Sequence, residues 1–295
     1  MSNLSGMTGF ARVSGEAEWG SWAWEAKSVN GRGLDVRVAY PPGFDAVERA
    51  IKTAAPRFFQ RGSLQVSLRI DLADSGDQAT INQALLDSLV ATVEKRLGME
   101  LSGEALASLV AVKGVVEAGG SSLRDLGADE GVVAMLAKAG EQALAALQAE
   151  RLKEGDVLKA LLAGLVTDME SHRAQAEALA AAQPKLVHER LTKQLAELDT
   201  DGRVDRERLA AEVALSAAKA DVREELDRLS AHFDTAHGLL AAGSPVGRKL
   251  DFLAQELNRE ANTLCSKSAS LDLTNAGLGL KGLIDQFKEQ AANVE

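Results

Sequence analysis

Residues 244–267, SPVGRKLDFLAQELNREANTLCSK, decide how the rest of the chain is read. At 100° per residue they form one amphipathic helix. Val246, Leu250, Leu253, Leu257, Ala261 and Leu264 fall on one stripe, and Pro245 stands at the start, where a missing N–H costs least. Arg248, Gln255, Arg259, Asn262 and Ser266 lie almost opposite, with Glu256, Glu260 and Lys267 on the flank and Phe252 on the polar side. A merely solvated face favours Lys, Glu, Gln and Ala. Two Asn, a Thr and an outward Phe are poor helix formers and indicate a face selected for contacts. The spacing also allows a solvated or subunit-facing surface.

The helix expected over 205–241 carries a second polar face. Leu215, Val222, Leu226, Leu229 and Phe233 share its apolar side, while Asp221, Glu224, Glu225, Arg228 and His232 fall on an adjacent arc of about 100°. Three carboxylates and one imidazole are an oxygen-rich donor set, which suits Mg²⁺ or Mn²⁺ better than a structural zinc. Such an ion stabilises a phosphoryl transition state or activates water. Glu256 and Glu260 join this face if the two helices are antiparallel neighbours. The alternative is an i,i+4 ion-pair ladder of Glu224 and Glu225 with Arg228.

Ahead of these helices the periodicity changes. FARVSGEAEW (10–19), WAWEAKSVN (22–30) and LDVRVAYP (34–41) alternate with period two and read as strands, the first two joined at Trp19-Gly20-Ser21. Asn30-Gly31-Arg32-Gly33 is either a plain hairpin loop or a glycine turn whose N–H groups approach an anion beside Lys27 and Arg32. A helix over 45–60 and a strand over 63–71 complete an α+β unit in which antiparallel pairing is expected. Asp74–Asp77 reads as a loop, 81–98 and 103–113 as helices, and residues 119–131 as a linker. Helix is expected from 130 to about 197, as two helices or one kinked near Pro184, then a turn at Thr200-Asp201-Gly202 and helices at 205–241, 246–265 and 273–294. The fold class is therefore α+β. An N-terminal antiparallel sheet-plus-helix domain (1–125) precedes an elongated all-helical domain (126–295).

At 295 residues, 46% hydrophobic and 26% charged, the chain has the composition of a globular protein. Its single cysteine, Cys265, excludes an internal disulfide framework and fits a reducing compartment. No signal peptide or long apolar run is present, so a cytoplasmic location without membrane contact is expected. The net charge of −10 argues against bulk nucleic-acid binding. It is uneven: residues 1–71 carry +2 and the remainder −12. An anionic polymer would need cations gathered locally. Phosphate-binding loops, dinucleotide fingerprints, nucleophile elbows and H-E-x-x-H are absent. Cys265 lacks a nucleophile signature, and a buried inert thiol is expected.

MTGFAR (7–12), WEAKSVNGRGLDVRV (24–38) and PPGFD (41–45) resemble the opening of the YicC-like family. KADVREELDRLSAH (219–232), VGRKLDFLAQELNREANTLCSK (246–267) and LKGLIDQFKEQAANVE (280–295) resemble its C-terminal part, in the same order and spacing. Ala254, Leu257 and Cys265 depart from the residues common there. The resemblance implies a cytosolic, divalent-metal-dependent endoribonuclease assembled as a ring-like homo-oligomer, a homohexamer. Within it, Asp221, Glu224, Glu225 and His232 are expected to hold Mn²⁺ or Mg²⁺. Glu225, His232, Glu256 and Glu260 are the expected catalytic groups. Arg228, Arg248, Lys249, Arg259 and Lys267 would contact RNA phosphates, Asn258 and Asn262 bases or ribose, and Lys27, Asn30 and Arg32 the RNA path. The same faces also suit a non-catalytic RNA adaptor that delivers RNA to another nuclease.

Overall fold

The computed structural model describes residues 3–73, 79–118, 123–198 and 206–295. Strands β1 (Gly9–Ala17) and β2 (Gly20–Val29) form the expected hairpin, followed by β3 (Leu34–Ala39), α1 (Asp45–Phe58) and β4 (Gly62–Leu72). The sheet order is β1-β2-β4-β3. β2 and β4 are antiparallel, whereas β3 and β4 run parallel. The all-antiparallel expectation is thus corrected to a mixed sheet. The reason is topological: α1 carries the chain from β3 to β4 as a crossover, which parallel neighbours require.

Period-two alternation buries one face of this sheet. Trp24, Ala26, Leu64 and Val66 pack with Val47, Ile51 and Ala54 of α1, and the loop 30–33 wraps the start of β4, where Gly62 N–H donates to Gly33 O at 3.0 Å. Strand β4 separates β2 from β3, so that loop is not a hairpin turn. After the short β5 (Ala79–Ile81) come α2 (Gln83–Leu97), which ends at left-handed Gly98, and α3 (Gly103–Val110). β5 pairs with β6 (Val116–Ala118). The expected linker over 119–131 contains a short helix, α4 (Leu123–Ala128). Its residues 119–122 lie outside the described residues, as do the loop at 74–77 and the turn at 200–202.

Helix α5 (Glu130–Ala180) serves two cores. Leu136, Ala143, Leu144 and Leu147 pack on the sheet beside Trp24 and Ile51. A turn or more later, Leu158, Leu162, Val166 and Met169 join the helical core of α8 (Arg223–Ala242), α9 (Gly247–Lys267) and α10 (Leu271–Ala291). The close approach at Gly140 is obligatory, because a Cβ there would stand 2.4 Å from Ile51 Cδ1. Helices α6 (Gln183–Leu198) and α7 (Arg206–Lys219) complete the elements of the described residues. The single helix expected over 205–241 breaks at residues 220–222. The Asp221 carboxylate accepts from the Arg223 N–H at 3.0 Å and competes with the helical pattern. Leu215 consequently lies on α7, half exposed, and not on the apolar face of α8.

Candidate active site

Helices α8 and α9 pack as antiparallel neighbours, and their seam carries charged residues rung by rung. At one end Lys267 Nζ donates to Glu225 at 2.8 Å and to Asp221 O at 3.2 Å. One turn on, Arg228 binds Glu224 of its own helix at 2.5 Å and reaches Glu260 of α9 at 3.5 Å. Glu225 and Glu260 are each only 4% exposed. A buried carboxylate without a cation would be strongly destabilising, so these pairs are required by the packing itself. Of the ladder expected within α8, Glu224 pairs with Arg228, whereas Glu225 pairs with Lys267 of α9.

The next rung is different. His232 of α8 and Glu256 of α9 line a cavity of about 650 Å³ with Arg61, Arg248, Lys249 and Phe252. Among the described residues, the side chains of Arg61, His232, Arg248, Lys249 and Glu256 have no hydrogen-bond or ion-pair partner. Phe252 stands on the rim, 64% exposed, as its place on the polar side of α9 predicts. Three cations, an imidazole and a carboxylate with no mutual pairing form a wall able to grip phosphate oxygens and to move protons.

Sequence spacing groups Asp221, Glu224, Glu225 and His232, and the structure separates them. Asp221 precedes α8 and is spent on Arg223, whose hydrogen bonds hold its carboxyl well below the usual range, at about 2. Glu224 is taken by Arg228 and Glu225 by Lys267. His232 lies seven residues beyond Glu225, about 10 Å along the axis. No three His, Cys, Asp or Glu side chains among the described residues come close enough to hold an ion. Within one chain this donor set does not fit a divalent metal. Of the four groups expected to be catalytic, the seam brings only His232 and Glu256 into the cavity.

The expected RNA contacts divide likewise. Arg248 and Lys249 line the cavity, and Arg259 is exposed on α9. Asn258 donates to Asp285 of α10 at 3.2 Å and Asn262 to Asn258 at 2.8 Å, so this pair stitches α9 to α10. Asn30 donates to Asn293 at 2.7 Å, Arg32 is exposed in its loop, and Lys27 lies on the outer face of the sheet. Cys265 is half-buried, and its desolvation raises the thiol above its ordinary pKa, as suits an inert side chain.

Arg61 is the residue that sequence reading misses. Locally it is one more cation before the Gly62 that stops α1. Its place in the cavity comes from Glu295, whose carboxylate accepts the N–H groups of Gln60 and Arg61 at 2.6 and 3.0 Å. The Glu295 backbone oxygen in turn accepts Val246 and Gly247 N–H at the start of α9. No pattern within either segment announces this meeting.

The pairing of Glu225 with Lys267 gives a first prediction. Lys267→Met should lower stability by about 2 kcal/mol or more, read from the denaturant midpoint, by leaving a buried carboxylate uncompensated. A lysine acting only on RNA would leave that midpoint unchanged.

Comparison with known proteins identifies the family. The family description "Endoribonuclease YicC-like, N-terminal region" matches residues 4–160, and "Endoribonuclease YicC-like, C-terminal" matches residues 176–295. The chain is 33% identical over 295 residues to a Haemophilus influenzae protein named "Probable endoribonuclease YicC", covering 98% of this chain and 99% of that one. It is 27% identical over 294 residues to a Clostridioides difficile protein of the same name, with the same coverage. No helix among the described residues is long and apolar enough to cross a membrane. Two family descriptions that between them span both cores, joined by relatives matched almost end to end, lead to one statement: this chain belongs to the YicC-like endoribonuclease family.

Proposed function

We propose that this protein cleaves RNA phosphodiester bonds in the cavity at the open end of the α8–α9 seam. The observation that carries the reading is the contrast along one seam: every carboxylate before the cavity is neutralised, while His232 and Glu256 inside it are free among the described residues. Arg61, Arg248 and Lys249 hold the phosphate and offset charge that builds on its oxygens. Of His232 and Glu256, one takes the proton of the attacking hydroxyl and the other returns a proton to the leaving oxygen. The names of the two relatives support the same activity. An end-labelled RNA oligonucleotide should be shortened by the purified protein. A shifted but uncut band would favour the adaptor reading.

The metal requirement and the ring-like homohexamer belong to this proposal as statements about an assembly. His232 and Glu256 are two donors on one wall, and a divalent ion would need its remaining ligands from a second copy. Activity lost in excess chelator, and lost again when the assembly is dissociated, supports that form. Activity that survives chelator, with a 2′,3′-cyclic phosphate on the product, identifies the 2′-hydroxyl as nucleophile and removes the metal from the account.

Arg61 gives the sharpest binding prediction. Arg61→Ala should weaken RNA binding roughly tenfold and lower the slope of log affinity against log salt by about one, because one phosphate contact is lost. An unchanged salt slope would remove Arg61 from the phosphate site.

A further inference from the structure

The helices packed on the sheet, α1 and α5, lie on its inner face, and the outer face is uncovered among the described residues. Register places four outward residues in one row across all four strands: Phe10, Lys27, Gln65 and Arg37. At about 4.8 Å between strands the row spans roughly 14 Å. Arg12, Glu25 and Ser67 form the next row, and Ser14, Ala23 and Arg69 the one after. A depression of about 410 Å³ opens here, walled by Phe10, Lys27, Arg37 and Gln65.

Three features of this face point to one kind of occupant. Phe10 is 56% exposed, an expensive place for an aromatic ring. In a protein of net charge −10 this face carries four cations, Arg12, Lys27, Arg37 and Arg69, against Glu16, Glu25, Asp35 and Asp71, and Lys27 and Arg37 stand in the same row as Phe10. Arg37 is paired with Asp35 at 3.0 Å and Arg12 lies 3.9 Å from Glu25, while Lys27 and Arg69 have no ion partner among the described residues. Finally, the surface is mostly polar, with Phe10, Val29, Ala23 and Ala39 its main apolar parts, too little for a stable contact between copies.

We propose that this outer face binds single-stranded RNA as an extended strand, a base stacked on Phe10 and the flanking phosphates met by Lys27, Arg37 and Arg12. A flat ring set among cations and an amide is the combination by which sheet platforms hold unpaired bases. The site is distinct from the α8–α9 cavity and rests on the reading that the protein acts on RNA. Arg61 stands four residues before Gln65 in the chain, about 13 Å at strand rise, so the face begins near the cavity that would cut.

The test uses the full chain and a fluorescent uridine oligonucleotide, with affinity read by anisotropy and assembly mass by light scattering. Phe10→Ala should weaken binding about tenfold, Phe10→Trp should restore it, and mass and thermal midpoint should not move. Lys27→Ala should lower the salt slope by about one. Wild-type binding with an unaffected Phe10→Ala overturns this site and leaves the cavity intact. A fall in assembly mass at unchanged RNA affinity also overturns it, by making the face a contact between copies. A wild-type protein that binds no oligonucleotide overturns the site together with the proposed function.

Discussion

Replacing His232 with alanine is expected to slow RNA cleavage by about 10²–10⁴-fold while leaving affinity for the uncut strand within a few-fold. The reason is local. On the proposed reading, His232 and Glu256 carry the protons and Arg61, Arg248 and Lys249 hold the phosphate, all five lining one cavity. Glu256→Gln should fall in the same range, because the amide keeps the shape of the carboxylate but cannot take a proton. The double variant should be scarcely slower than the worse single, since groups that act as a unit lose their effect once. His237, five residues on and hydrogen-bonded to Glu170 at 3.0 Å, is the control: His237→Ala should cut at the wild-type rate. Single-turnover kinetics with saturating enzyme separates these effects from binding. Equal loss from His232→Ala and His237→Ala would place the chemistry elsewhere.

The second large effect concerns Arg151, which is 0% exposed. Its guanidinium donates to Gly6 O at 2.6 Å and Arg61 O at 3.1 Å, pairs with Glu295 at 3.2 Å and lies 4.9 Å from the Phe59 ring centroid. Burial lowers its pKa, while Glu295 and Glu154 act against that shift, and a guanidinium stays charged throughout. One side chain thus ties the N-terminal segment, the start of β4 and Glu295 to the middle of α5. Arg151→Met should cost about 3–5 kcal/mol, because the Glu295 carboxylate is left buried without its cation. Urea or guanidinium unfolding reads this as a lower midpoint at unchanged slope. Adding Glu295→Gln should recover part of the loss, the signature of a coupled pair. A cost below about 1 kcal/mol for Arg151→Met would show that this junction does not hold the two cores together.

What the sequence reveals here follows from how local each determinant is. Helix α9 is legible because its stripe of Leu250, Leu253, Leu257 and Leu264 sits within one element, and the same periodicity puts Phe252 on its polar side. Hairpin β1–β2 is legible from alternation around one turn. The parallel partner of β3 is not, because nothing within LDVRVA distinguishes β4 from β2 as its neighbour; the α1 crossover decides it. The break at 220–222 hides inside good helix formers, and only the Asp221–Arg223 contact gives it away. For the site, periodicity finds the polar arc of α8 but cannot tell a neutralised acid from a free one. Glu225 and Glu260 read as free acids until Lys267 and Arg228 are seen to pair with them. Arg61 needs a contact spanning most of the chain, through Glu295, and has no local signal at all.

The central claim is that the cavity beyond the paired rungs of the α8–α9 seam is where RNA is cut. A crystal structure with an uncleavable RNA strand tests it most directly. The account predicts a backbone phosphate inside the cavity, within hydrogen-bond reach of Arg61 and of His232 or Glu256. A strand whose phosphates all lie away from those three side chains, in an assembly that still cuts the cleavable version, would contradict it.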